Sequence, residues 1–299
     1  CRGRGFSSMW DYKLRFEGRR GPGRAPLHAM LSLACVVPAC TERTLLLVDP
    51  CPSGATAAGV CLTPADAGPS EAGAPSTLSD GLVGHWRFDD GAGTTMALDS
   101  SGNGYHGTLV GLDPSTAWTT EGRLAGALET KGQGYASVSN LPRIDAIDTQ
   151  VSVAAWVYLD GVINDYATAV SKQIQNTVNQ YYHLALNSEA RPSLFISPRV
   201  PGSATVQPLA VEPVPPQTWT HLAGTWDGVT ARLYVDGALV SMKNVTGAFG
   251  RDPNPLLLGA NGNNGMVSER FPGRIDEIVL YNRALGPSEI SQLAMGVSF

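Results

Sequence analysis

Two short apolar runs joined by a two-residue turn constrain this chain more than any other stretch of it. Ala231–Val235 (ARLYV) and Ala238–Ser241 (ALVS) flank Asp236-Gly237. Asp and Gly tolerate the positive φ of a tight hairpin, so the dipeptide between such runs predicts two antiparallel strands in fixed register. Just upstream, Trp219–Trp226 (WTHLAGTW) closes at a second Asp-Gly pair, Asp227-Gly228. Three strands in succession with turns this tight leave no room for helical crossovers, which points to an antiparallel all-β architecture.

The rest of the chain from Gly81 onward agrees. Val151–Leu159 (VSVAAWVYL) is apolar on both faces, as a central strand of a sandwich must be. Trp86 and Phe88 alternate with His85, Arg87 and Asp89, the pattern of a half-buried strand. Leu256–Leu258 and Ile275–Tyr281 complete the strand set, and Pro287–Ala294 alone reads as a helix, with Pro at its start and Gly296 beyond its end. The stretches 160–182 and 187–216 carry no such pattern and read as loops. Thirty-four Gly, 21 Pro and only 16% charged residues suit a turn-rich β protein.

The segment Phe271–Leu285 (FPGRIDEIVLYNRAL), and the early segments Gly84–Asp90 (GHWRFDD) and Asp99–Gly107 (DSSGNGYHG), resemble the two ends of a laminin G-like, concanavalin A-like jelly roll. The order Trp-Thr-His-Leu, Asp-Gly, Arg-Leu-Tyr-Val-Asp-Gly resembles its middle. The resemblance covers about residues 82–295 and implies a jelly-roll β-sandwich over 81–299, shared with pentraxins, legume lectins and some glucanases. It implies a binding module outside the cell, for an extracellular glycan or glycoconjugate or else for a surface protein.

Charge and cysteines narrow the partners. Residues 1–24 hold seven Lys and Arg against two acids, whereas residues 81–299 hold thirteen against nineteen. The mildly acidic body argues against nucleic acid. All five cysteines (Cys1, Cys35, Cys40, Cys51 and Cys61) precede the β region, with no zinc spacing among them. Residues 1–40 read as a leader. Basic residues from Lys13 to Arg24 precede the apolar run Ala29–Val37 and then Pro38-Ala39-Cys40, the anatomy of a secretory signal. Val37–Cys40 resembles a bacterial lipoprotein processing site, which makes Cys40 the expected lipidation site and a lipid anchor the expected membrane link. Upstream residues added by a mis-placed start are the alternative. Residues 41–80, rich in Ala, Gly, Pro and Ser, read as a disordered tether. Cys51 and Cys61 either close a small loop there or stay free.

Asp99, Ser101 and Asn103 place oxygens at alternate positions before Gly104, like the first half of a calcium loop. An Asx turn explains the same residues. In the family resembled, a calcium ion lies between an early loop and an acid near the last strand, and Asp276 matches that acid. Structural calcium is therefore the expected cofactor, held by Asp99, Ser101, Asn103 and Asp276. By strand parity, Asp276 and Glu277 face opposite sides, with Asp276 turned inward beside Ile278 and Leu280. Tyr166, Tyr181 and Tyr182 fall in the presumed loops, where aromatic faces stack on sugar rings. Glucanases of this fold carry a Glu-x-Asp-x-x-Glu run or a similar one. It is missing here, so the chain reads as a non-enzyme. A hydrolase or lyase requires Asp160, Asp165, Glu189 or Glu269 to converge from separate loops.

Overall fold

The computed structural model describes residues 77–140, 142–173, 180–199, 205–251, 254–263 and 266–297. The expected leader, the expected lipidation site Cys40 and the Cys51/Cys61 pair lie outside these residues. In order, the strands are β1 (Leu82–Trp86), β2 (Met96–Ala97), β3 (Gly107–Val110), β4 (Trp118–Thr119), β5 (Ala127–Glu129) and β6 (Tyr135–Val138). A four-residue helix, α1 (Pro142–Asp145), precedes β7 (Val151–Leu159), β8 (Tyr166–Gln173), β9 (Gln180–Asn187) and β10 (Pro192–Ile196). Then come β11 (Trp219–Trp226), β12 (Thr230–Val235), β13 (Ala238–Asn244), β14 (Leu256–Leu258), β15 (Asn261–Asn263), β16 (Met266–Ser268), β17 (Gly273–Tyr281) and the helix α2 (Pro287–Ala294).

Two antiparallel sheets face each other. One runs β13-β12-β11-β7-β17-β5-β4, with β1 also paired to β17; the other runs β10-β9-β8-β14-β6-β3-β2. The expected hairpin is present: Asp236 and Gly237 both have positive φ (48° and 82°), the type I′ signature. Val151, Val153, Ala155, Val157 and Leu159 of β7 enter the core between the sheets, with Trp86, Trp226, Leu233, Leu184 and Leu258. The buried indoles are anchored as well as packed: Trp86 Nε1 donates to the Tyr105 carbonyl at 2.8 Å and Trp226 Nε1 to that of Val245 at 2.9 Å. Each fully buried side chain of this size contributes about 1.5–3 kcal/mol.

The outer face of the β17 sheet is also covered, which is why β7 is apolar on both sides. Ala154, Ala223, Tyr234, Val279 and Tyr281 form a second cluster with Ile290 and Leu293 of α2. Pro287 opens that helix, the Glu289 carboxylate accepts the Gly286 N–H at 2.8 Å, and Gly296 follows its end at φ 75°. Leu78 joins the same cluster, and its carbonyl accepts the Tyr281 hydroxyl at 2.7 Å. Residues 77–80, assigned from sequence to the tether, therefore belong to the sandwich. Among the described residues no helix is long and apolar enough to cross a membrane.

The strand β17 organises the site. β7 flanks it along one edge, while β1 and β5 share the other edge, β1 at its C-terminal half and β5 at its N-terminal half. Between the two, register against β7 shifts from Asp276↔Trp156 to Val279↔Ala154, and Glu277 adopts φ 47°. This is a β-bulge, and it re-aims side chains.

Candidate functional site

The Asp99 loop adopts the Asx-turn pattern. Asp99 Oδ1 accepts the N–H of His85 at 3.0 Å and of Ser101 at 2.9 Å, and Oδ2 accepts that of Tyr105 at 2.9 Å. Burial works to raise its pKa, but these donors outweigh it and hold the carboxyl below its ordinary value. Ser101 Oγ donates to the Val83 carbonyl, and Asn103 Nδ2 donates to the carbonyls of Leu82 and Val83. The three residues staple their loop to β1.

Asp276 does not join them. Asp99 bridges Trp86 on the edge of β1 turned away from β17, so β1 stands between the two carboxylates. The four expected calcium ligands thus do not share one coordination sphere. Among the described residues no group of three or more His, Cys, Asp or Glu side chains could hold a metal ion.

Asp276 is fully buried, but the inward orientation expected from parity is wrong. Because of the bulge, Ile275, Ile278 and Leu280 all reach the inter-sheet core, while Asp276 pairs with Trp156 on the outer face. There Oδ2 accepts the N–H groups of Arg123 (2.8 Å) and Leu124 (3.2 Å), and Oδ1 accepts that of Glu277 (2.7 Å). Glu277 lies on that face too, its Oε2 2.5 Å from His85 Nε2 and its Oε1 3.5 Å from Arg87 Nε. The pair expected on opposite faces therefore shares one. Burial, opposed by the Leu124 N–H and reinforced by the Glu277 charge, pushes the Asp276 carboxyl up to about 7.

The tyrosines separate. Tyr181 and Tyr182 are not loop residues: both lie in β9, are buried, and pack on Phe249 at 5.4 and 5.8 Å between ring centroids. That correction removes them as sugar contacts. Tyr166 opens β8 and stays partly exposed on the face turned away from the core. Its ring stands edge-on to Phe195 at 5.4 Å and to His183 at 6.0 Å, and His183 in turn stacks on Phe195 at 5.0 Å and 16°. Gln207 Nε2 donates to the Tyr166 hydroxyl at 3.5 Å.

Beneath this platform, His183 Nε2 lies 2.7 Å from Thr168 Oγ1 and 3.7 Å from Glu269 Oε2. Burial lowers the His183 pKa to about 3, so the ring is neutral. Asn261 Nδ2 donates to Glu269 Oε2 at 2.7 Å. Burial raises the Glu269 pKa, the Asn261 bond opposes the rise, and the neighbouring Asp165 charge adds to it. Of the four acids named from sequence, Asp165 and Glu269 thus come near each other. Asp160 and Glu189 are bonded to Gln217 and Arg191 instead.

Residues 130–291, over half of the chain, match the laminin G family model described as the concanavalin A-like lectin/glucanases superfamily. The chain belongs to this superfamily. No curated protein matches the sequence of this concanavalin A-like chain. Among solved structures, domain 4 of AbnA, a GH43 extracellular arabinanase from Geobacillus stearothermophilus in complex with arabinotriose, superposes with a TM-score of 0.54. It shares 23% identity, over 71% of this chain and 98% of that one. The binding domain of Paraclostridial Mosquitocidal Protein 1 gives 0.54 at 18% identity over 73% of this chain and 52% of that one. Trypanosoma rangeli sialidase gives 0.53 at 18% identity over 72% of this chain and 33% of that one. At these identities the likeness is one of fold.

His183, Phe195 and Gln207 around Tyr166, and Asn261 on Glu269, carry no motif that marks them in the sequence. One signal was available: His183 follows two tyrosines and alternates with Tyr182 and Leu184, which places it on the opposite face of a strand.

Proposed function

We propose that this concanavalin A-like sandwich is a non-catalytic glycan- or glycoconjugate-binding module of an exported protein, held at the cell envelope through Cys40 or secreted. The observation that carries the reading is the Tyr166 platform. A partly exposed ring, braced from the side by Phe195 and His183, is pre-organised for a sugar face, with the Gln207 amide on its hydroxyl and the Glu269 carboxylate, which feels the Asp165 charge, 3.7 Å from His183. The two carboxylates favour neutral sugars over acidic ones. The arabinotriose on the arabinanase domain, a fold relative, supports the same reading.

The test is a glycan array with the full chain, run in calcium and repeated in EDTA. Tyr166→Ala should weaken binding about tenfold while the melting temperature shifts only slightly. Silence of the wild type in both buffers sinks the reading and favours a protein adhesion module, next sought by pull-down from the producing cell's surface.

Calcium does not fit Asp276, whose two oxygens already accept three N–H groups on the buried outer face. Superimposable melting curves with and without EDTA are the expected result; a melting temperature that falls in EDTA would bring the metal back. Cleavage of a glycan is a second reading, favoured by Glu269, whose raised pKa beside Asp165 suits a general acid. Shortening of a polysaccharide by the wild type, lost in Glu269→Gln, would establish it over simple binding.

A further inference from the structure

The outer face of the β17 sheet contains a pocket that the glycan reading does not use. Leu124, Trp156, His221, Glu277, Val279 and Leu293 line it, beneath the end of α2. Its volume is about 10 Å³, the space of one water molecule.

Two of its lining residues each carry an unpaired polar atom. Trp156 and His221 are 5% and 2% exposed, with their rings edge-on at 5.3 Å. Trp156 Nε1 and His221 Nδ1 are both buried with no hydrogen-bond partner. The other indoles described above behave differently: those of Trp86 and Trp226 each donate to a carbonyl, as does that of Trp118, to Thr94 at 2.8 Å. Leaving one buried polar atom unpaired is costly; leaving two, on adjacent rings that line one void of water size, points to a shared partner. Burial holds His221 neutral, with its pKa near 3, so one of its ring nitrogens is an acceptor.

We propose that one long-lived water molecule occupies this pocket, accepting the Trp156 indole N–H and donating to His221 Nδ1 and to the Glu277 carboxylate. Three bonds satisfy a buried water and both orphaned atoms at once. The arrangement fixes His221 as the Nε2–H tautomer. It also ties β7, β11 and β17 together on the face where the 120–126 loop holds Asp276.

The decisive measurement is water-to-protein magnetisation transfer on the full, 15N-labelled chain. The Trp156 indole N–H should show NOE and ROE cross-peaks to water of opposite sign, the mark of a residence longer than nanoseconds, and the His221 nitrogen shifts should report the Nε2–H tautomer. Loss of one indole signal in Trp156→Phe assigns the peak among the six tryptophans; sequential assignment of the wild type serves if that variant does not fold. His221→Leu should abolish the long-lived cross-peak while the Trp156 resonance remains. Absence of a water cross-peak in the wild type, its persistence in His221→Leu, or the Nδ1–H tautomer each overturns the proposal.

Discussion

Replacing Asp276 with Asn should remove a specific part of the protein's pH dependence, and its size follows from the burial of that carboxyl. In the folded state it titrates at about 7 against 3.8 for an unperturbed Asp, close to three units. At about 1.4 kcal/mol per unit, this amounts to roughly 4 kcal/mol at most. The folded pKa lies above the unfolded one, so the native state binds the proton more tightly. The contribution is therefore complete below about pH 4 and is lost as pH rises toward 7. His183 and His221 act in the opposite direction. Both are held near 3, so the native state refuses protons that unfolded histidines accept, and stability drains away as pH falls below about 6.5. The wild-type curve mixes these trends, and the variant separates them. Asp276→Asn keeps an oxygen for the Arg123 and Leu124 N–H groups but cannot ionise. Urea unfolding of both proteins in EDTA should show wild type minus variant growing by about 3 kcal/mol from pH 7.5 to 4.5. A difference constant to within about 0.5 kcal/mol across that range would falsify the assignment of the titration to Asp276.

Two further outcomes follow from packing. Asp99→Ala strands the N–H groups of His85, Ser101 and Tyr105, and should lower unfolding free energy by about 3 kcal/mol in urea; a loss under about 1 kcal/mol would mean that water replaces the carboxylate freely. A Cβ on Gly224 meets Leu194 Cδ1 at 2.4 Å in the core, so Gly224→Ala should cost about 1–3 kcal/mol. Combined with Leu194→Ala, the loss should be smaller than the sum of the two single losses; strict additivity would show that the contact does not matter.

The elements legible in the sequence are those whose burial follows a simple period. β7, β11 and α2 begin and end where their apolar patterns do, and the Asp236-Gly237 hairpin is fixed by turn chemistry. The loop reading of 160–182 and 187–216, which takes in β8, β10 and the start of β9, fails because outward residues of these strands are polar yet buried. Thr168, Ser171, His183 and Ser193 are all at most 1% exposed. Ser171 Oγ donates to the Ala260 carbonyl, and the Thr168 N–H to that of Glu269, so distant chain satisfies groups that locally look solvated. The site was illegible for a related reason. The bulge at Asp276 depends on Glu277 taking a left-handed φ, for which glutamate gives no sequence signal, and it takes Asp276 off the inward face that Ile278 and Leu280 keep.

That β17 lies between β7 and the β1–β5 edge has a consequence for the chain's synthesis. Leu82 pairs with Tyr281, so the first strand of the sandwich waits for the last. A ribosome must add about 200 residues before β1 has its neighbour, and closing a loop of that length makes folding slow. Until then β7 and β1 present open edges that other chains could join. The same delay keeps the polypeptide threadable for as long as its last strand is missing. The sandwich closes only once its end has emerged.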